Sequence, residues 1–261
     1  MNENVDIFIY SHVPFKPLVK NPVYKILTNN HSPGSLFGGT ELPVYRDYVG
    51  DNISNKNLLY NEYSGFYWLY KNWKLKDYTG MIHYRRYFKF MDDIPDFNEI
   101  FKTKSVVLNK KVDLPRGNKE FYGMWHNIKD FELMERIVKE TFPNMRQGWD
   151  LMCETKFIHP SSLFIMPKDT LEEYFNYIFT CLDIFNDERK CHTREDWIVY
   201  VAEHENDYIH LERGKHKYAS VIQQARAVGF IAERCLLAFL LNGGDNSLEN
   251  NAQEMEWSVW K

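Results

Sequence analysis

The stretch TGMIHYRRYF, Thr79 to Phe88, opens as an apolar strand and ends with an imidazole, a phenol and two adjacent guanidinium groups. Arginine suits any site where a planar fork must grip phosphate or carboxylate. Strand alternation puts His83 and Arg85 on one face and Tyr84 and Arg86 on the other. Both arginines therefore reach one ligand only where the chain bends. The alternative is that they pair with Asp92 or Asp93 while the tyrosines pack. A second polar cluster, GDNISNKN from Gly50 to Asn57, stands at a helix start, where free N–H groups bind ribose or phosphate, or simply receive caps. In YGMWHNIKDF, His126 and Asp130 share a face if the segment is helical, as an acid/base couple, a surface contact or a two-residue metal site. Arg226, Gly229 and Glu233 fall on one stripe of the last helix. A glycine between two charges leaves room for something to approach closely, or the stripe is a solvated face.

These groups need a scaffold, and the hydrophobic pattern supplies one. VDIFIY, Val5 to Tyr10, reads as a buried strand ending abruptly at Ser11 and His12, which is where open α/β sheets bind ligands. YTGMIHY, SVVLNK (Ser105 to Lys110) and SSLFIMPK read as further strands. Tyr63, Phe66, Tyr67, Tyr70 and Trp73 recur at helical spacing after a cap at Ser54 or Asn57. Ile128 to Thr141 is a helix stopped by Pro143, and DTLEEYFNYIFTCLDIF is an amphipathic helix capped by Asp169. The span from Tyr218 to Asn242 reads as one final helix. Strands alternating with helices predict an α/β layer architecture. His31 to Gly50 is a long irregular segment, Asp187 to Tyr218 is polar and loosely periodic, and the chain from Gly243 reads as a frayed tail docked by Trp257 and Trp260.

Composition narrows the function classes. With 261 residues, 44% hydrophobic and 16% aromatic, the chain is long enough for a sizeable core. A net charge of -4 gives no basic footprint for nucleic acid. The four cysteines lack any CxxC or Cys/His spacing, which predicts reduced thiols and neither zinc nor disulfides. No positively charged leader and no long apolar run is present, so a cytoplasmic protein is expected. Walker, dinucleotide-fingerprint, GxSxG and HExxH motifs are missing, which removes the common NTPases, Rossmann dehydrogenases, α/β-hydrolases and zincins.

In order, GDNISNKN, YNEYSGFYWLYKNW, YTGMIHYRRYF, YGMWHNIKDF, SSLFIMPKDTLEEY and GFIAERCLLAFLL resemble the DUF4422 family of bacterial capsular and surface-polysaccharide glycosyltransferases, over about residues 5 to 242. The resemblance implies one GT-A-like domain over residues 1–242 with a tail from 243 to 261: an α/β sheet that binds a nucleotide sugar, flanked by helices, with a helical C-terminal part. It implies a hexosyl or pentosyl transferase with a nucleotide-sugar donor, UDP-linked, with galactofuranose among the sugars by similarity to some members. The acceptor would be a saccharide or lipid-linked oligosaccharide at the inner membrane face, with peripheral membrane contact. On that carry-over Ser11, His12, Asp51, Asn52 and Ser54 hold the nucleoside, and His83, Tyr84, Arg85 and Arg86 lie beside the diphosphate. Glu62 and Trp68 belong to the family's helix pattern and orient those groups. Ser161, Ser162, Arg226 and Arg234 fall on the acceptor side. His159 to Ser162 depart from the family's tendency towards Asn-Met-Phe. GT-A enzymes generally carry an Asp-x-Asp pair for manganese or magnesium where this chain has His83 to Arg86. Arginines supply the same charge, so the divalent cation is expected to be dispensable or weakly bound. The base candidates are Glu233, Asp130 with His126, and Asp150, with Glu233 favoured. Two competitors remain: the same chemistry on a hydroxymethylated base of phage DNA, and a non-catalytic carbohydrate-binding module.

Overall fold

A computed structural model describes residues 3–29, 37–208, 220–242 and 252–259, with side chains described up to 256. The chain lays down β1 (Val5–Ser11), β2 (Tyr24–Thr28) and β3 (Val44–Arg46), then α1 (Asn57–Tyr60) and α2 (Tyr63–Asn72). Next come β4 (Tyr78–His83), β5 (Arg86–Phe88), α3 (Phe97–Ile100), β6 (Val106–Asn109) and β7 (Val112–Asp113). Three helices follow, α4 (Asn118–Gly123), α5 (Ile128–Thr141) and α6 (Arg146–Glu154), then β8 (Phe157–Ile158) and β9 (Phe164–Pro167). The remainder is α7 (Lys168–Arg189), α8 (Arg194–Glu203), α9 (Val221–Gln224), α10 (Ala227–Leu241), β10 (Ala252–Met255) and β11 (Trp257–Val259).

The main sheet runs β10-β6-β9-β4-β1-β2-β3, with β5 hydrogen-bonded to β4 and β11 to β5. Its half from β4 to β3 is parallel, and β9 runs antiparallel between β4 and β6. The small ribbon β7-β8 stands apart. Alternation along the central strands divides the core into two layers. Phe8 and Tyr10 of β1, Met81 of β4, Leu108 of β6 and Phe164 of β9 face the thick layer that includes residues of α2, α5, α6, α7 and α10. Ile7, Ile9, Ile82, Val107 and Ile165 face a thinner layer with Tyr24, Phe88 and Phe97. Burial on both faces is why these strands read as near-continuous apolar runs. The one acid in β1, Asp6, is neutralised by Lys25 at 2.6 Å and accepts from Trp73 Nε1 at 2.9 Å.

Several sequence expectations change. The last helix breaks at Arg226, which precedes α10, and the described part of the segment before it forms the short α9. Asp169 does not cap α7, whose N-cap is Pro167 with no side-chain bond. The polar span after Asn186 contains α8, opened by a Thr193–Asp196 capping box. The tail is no appendage: β10 pairs with β6 and β11 with β5, so the boundary placed at 242 does not divide the sheet. Pro33, Gly34, Tyr218 and Trp260 lie outside the described residues. No helix among the described residues is long and apolar enough to cross a membrane.

Candidate active site

Parallel strands β1 and β4 end together, with Tyr10 opposite His83. Beyond them the chain turns at once: His83 pairs with Arg86 across an antiparallel bridge, through Tyr84 and Arg85. This is the bend that two adjacent arginines need to serve one ligand. Arg85 and Arg86 both line a cleft of about 610 Å³, together with Tyr10, His12, His83, Ser161, Arg226 and Glu233. Asn57, Asn61, Glu62, Arg194, Gln223 and Phe230 complete much of the wall. The expected rival pairing is absent: the Asp92 carboxylate accepts from the backbone N–H groups of Lys20 and Asn21, both at 2.8 Å. Arg85 instead lies over the Tyr84 ring, 5.0 Å from its centroid. Tyr84 thus supports the arginine from below, with His12 set edge-on at 5.6 Å.

The two imidazoles are neutral. Burial, reinforced by Arg86 and Arg85, drives His83 down to about 3, and its Nδ1 accepts the Arg85 backbone N–H at 3.3 Å. Burial and Arg85 also lower His12. Positive charge in the cleft therefore resides on guanidinium groups.

Facing them are two carboxylates. Glu62 sits at the N-cap of α2, and burial followed by repulsion from Glu233 raises it to about 7 against the attraction of Arg86 and Arg226. Glu233, on α10, is raised by burial, with Arg234, Arg86 and Arg226 opposing. Two arginines thus balance two acids that neither burial nor mutual repulsion favours.

A buried network fixes this wall. The Tyr10 hydroxyl donates to Asp47 at 2.9 Å and receives Asn57 Nδ2 at 2.7 Å, while Asn57 also donates to the Asn61 carbonyl at 2.7 Å. Asn61 Oδ1 then accepts Arg226 Nε at 3.0 Å. Gly229 permits this closeness, since a Cβ there would fall 2.1 Å from Asn61 Nδ2. The room left by that glycine is filled by the protein itself and not by a ligand.

The other sequence candidates lie elsewhere. Ser11 is fully buried, bonding the Val13 backbone in a turn. Ser54 donates to Asp47, Asn52 bonds the Gly50 carbonyl, and Asp51 accepts from Tyr67, so none of these three lines the cleft. Asp130 is a core residue paired with Arg189 at 2.7 Å. His126 stacks on Phe230 at 4.1 Å and meets Gln224, so the supposed His126–Asp130 couple does not form. Asp150 pairs with Lys139 at the surface. Arg234 turns inward to the Phe230 carbonyl, while Ser162 meets Tyr63; of the acceptor-side group only Ser161 and Arg226 reach the cleft. A roomier depression of about 800 Å³ beside α4 and α6 offers no comparable chemistry. Its Lys119 is bound to Glu135, and burial pushes its Cys153 thiol up to about 12.

Residues 6–205 match the family model described as a domain of unknown function, DUF4422. The chain belongs to the DUF4422 family. No curated protein matches it. Among solved structures, the apo form of the bifunctional glycosyltransferase WbbM is similar to this DUF4422 chain with a TM-score of 0.69 at 22% identity. The match covers 98% of this chain and 45% of WbbM, so the chain spans less than half the length of that protein. The likeness establishes the fold, a mixed α/β sheet flanked by helices that a glycosyltransferase also adopts. The mannosyltransferase Ktr4p from S. cerevisiae matches over 67% of this chain and 60% of its own, at 12% identity and a TM-score of 0.35, too slight to bear on the chemistry.

Residues able to hold a metal would have to come from the same wall. Among the described residues no group of three or more His, Cys, Asp or Glu is placed to bind one. His83 is a neutral donor, but Arg85 and Arg86 beside it repel a dication. The donor set among the described residues does not fit the divalent cation that the sequence resemblance implies.

Proposed function

We propose that the cleft binds a nucleotide sugar and transfers its glycosyl group to a hydroxyl of a saccharide acceptor. The observation that carries this reading is the convergence of Arg85, Arg86 and Arg226 with Glu62 and Glu233 at the carboxyl end of parallel strands. A departing nucleoside diphosphate needs cationic donors already in place, because prearranged charge costs no reorganisation during the reaction. Arg85 and Arg86 stand beside its phosphates, and neutral His83 and His12 add N–H donors without adding charge. The acceptor enters past Ser161 and Arg226. Its hydroxyl gives up a proton to a carboxylate of the cleft wall as it attacks the anomeric carbon. The family membership and the WbbM-like fold support this reading over a passive sugar-binding module. A module would also have no use for two acids held together at electrostatic cost.

The finer proposal is a UDP-linked hexose or pentose as donor, galactofuranose among them, and a surface saccharide or lipid-linked oligosaccharide as acceptor. Catalysis proceeds without a divalent cation. A thermal-shift panel of UDP, GDP and their sugars tests it, followed by measurement of nucleotide release. A UDP-sugar should raise the melting temperature and release UDP. Failure of every nucleotide sugar to do either would overturn the reading.

A further inference from the structure

We propose that Glu62 is the general base of the transfer and that Glu233 is a positioning residue acting through it. This rests on the glycosyl-transfer reading of the cleft. Both acids line the same wall, but their commitments differ. Glu233 accepts from Arg234 Nη1 at 3.2 Å, and Arg234 is anchored by the Phe230 carbonyl at 3.0 Å. Among the described residues the Glu62 carboxylate makes no ion pair, although Arg86 and Arg226 act on it through space. A cleft carboxylate in no ion pair, its hydrogen bond made to its own backbone N–H, is the one an incoming hydroxyl can engage.

Its location serves the purpose. The sharp turn at Asn61, whose φ is 54°, leads directly into Glu62 at the head of α2. Asn61 is itself held by Arg226, so the base is placed by the network that shapes the wall. The charged and titratable groups coupled to Glu62 are Glu233 of α10, Arg226 before it, and Arg86 of β5. Nearby Tyr10 of β1 and Tyr63 of α2 are kept protonated by burial. Burial, and then Glu233, raise Glu62 towards neutrality, where a base both exists as the anion and holds a proton well. In the step, the acceptor O–H bond breaks and its proton moves to Glu62. The acceptor oxygen bonds to the anomeric carbon, and the bond from that carbon to the diphosphate oxygen breaks, its electron pair leaving with the nucleoside diphosphate. No oxidant or reductant is involved.

The test is nucleotide release from the UDP-sugar that gives the largest melting shift, measured from pH 5 to 9 for the wild type, Glu62→Gln, Glu62→Asp and Glu233→Gln. Glu62→Gln should lose about a hundredfold or more in kcat with little change in donor KM, and Glu62→Asp should recover part of it. In Glu233→Gln the acid limb of the kcat profile should move down, since the negative charge beside Glu62 is gone. A Glu62→Gln enzyme retaining more than a tenth of the wild-type kcat would overturn the assignment. So would a Glu233→Gln enzyme whose acid limb stays in place. Carboxyl carbon-13 NMR of the free protein supplies a readout independent of turnover. A Glu62 signal titrating near 7 and moving down in Glu233→Gln supports the inference, and one titrating near 4.5 sinks it even if no nucleotide is released. Absence of any nucleotide binding, by contrast, removes the functional reading.

Discussion

Replacing Glu62 by Gln should stabilise the fold, and by an amount that depends on pH. A glutamate moving from 4.5 in the unfolded chain to about 7 in the fold is harder to ionise in the native state. Below 4.5 both states hold the proton and nothing is lost. Between the two values the unfolded chain releases the proton while the native state retains it, so native stability falls as pH rises; above 7 the loss is complete. At 1.36 kcal/mol for each tenfold change in proton affinity, the ceiling is about 3 kcal/mol. Partial solvent access and the lost attraction of Arg86 and Arg226 reduce it, leaving about 1–2 kcal/mol of net gain for the amide variant. For a chain of this size that is roughly 3–6 °C in melting temperature. Differential scanning calorimetry of both proteins at pH 5 and pH 8 reads it directly. His83, lowered to about 3, works in the opposite sense: its neutral form contributes stability above its ordinary value that is lost as the pH falls. That contribution is common to both proteins and cancels in the difference. An equal gap at the two pH values, or a less stable variant at pH 8, would refute the reasoning.

Three further outcomes follow from the same geometry. Arg86→Gln should weaken UDP binding by tenfold or more in titration calorimetry, because the remaining guanidinium groups cannot replace its position beside the phosphates. Nucleotide release from the best UDP-sugar should survive EDTA, with no more than about twofold stimulation by added manganese. Abolition by the chelator and recovery with the metal would show that the cleft binds a cation despite its arginines. Gly148→Ala should destabilise the protein by about 1–3 kcal/mol in denaturant unfolding, since its Cβ would fall 2.2 Å from the Ala238 carbonyl oxygen where α6 packs on α10.

How much of this was legible in the sequence depended on what each residue had to satisfy. The central strands were readable because β1, β4, β6 and β9 are apolar on both faces, and the end of β1 pointed to the edge of the sheet where the cleft lies. HYRR suggested an anion grip, and whether both arginines could face one cleft awaited the His83–Arg86 bridge. Several polar candidates lie away from the cleft because other groups of the fold engage them, a pairing that residue type and spacing do not reveal. Asp130 looks like a catalytic acid until Arg189 is seen beside it, and Ser54 like a ligand contact until Asp47 takes its hydroxyl. Glu62 stood in the sequence only as part of the helix pattern, because its raised carboxyl comes from burial and from Glu233 on a helix far along the chain. Arg194 was missed altogether, although Thr193 and Asp196 advertise a capping box that could have revealed α8 within the polar span.

Backbone strain gathers at the same wall. Asn61, Ser161 and Ser162 have φ values of 54°, 71° and 47°, and the first two line the cleft. Each left-handed non-glycine residue costs of order 1 kcal/mol or more and persists only where its surroundings hold it. Asn61 is held by Arg226 and Asn57, and Ser162 by Tyr63, whose hydroxyl also donates to the Ala232 carbonyl at 3.0 Å. These bonds tie α2, the turn before β9 and α10 into one frame, and Glu62 and Glu233 stand on two of its members. Strain in the turns, repulsion between the acids and burial of the arginines all act against folding. The doubly covered sheet and the Asp47 network offset them. A fold that only needed to be stable could have dispensed with every one of these features at the cleft. Their concentration at the carboxyl edge of β1 and β4 supports the proposed transfer site.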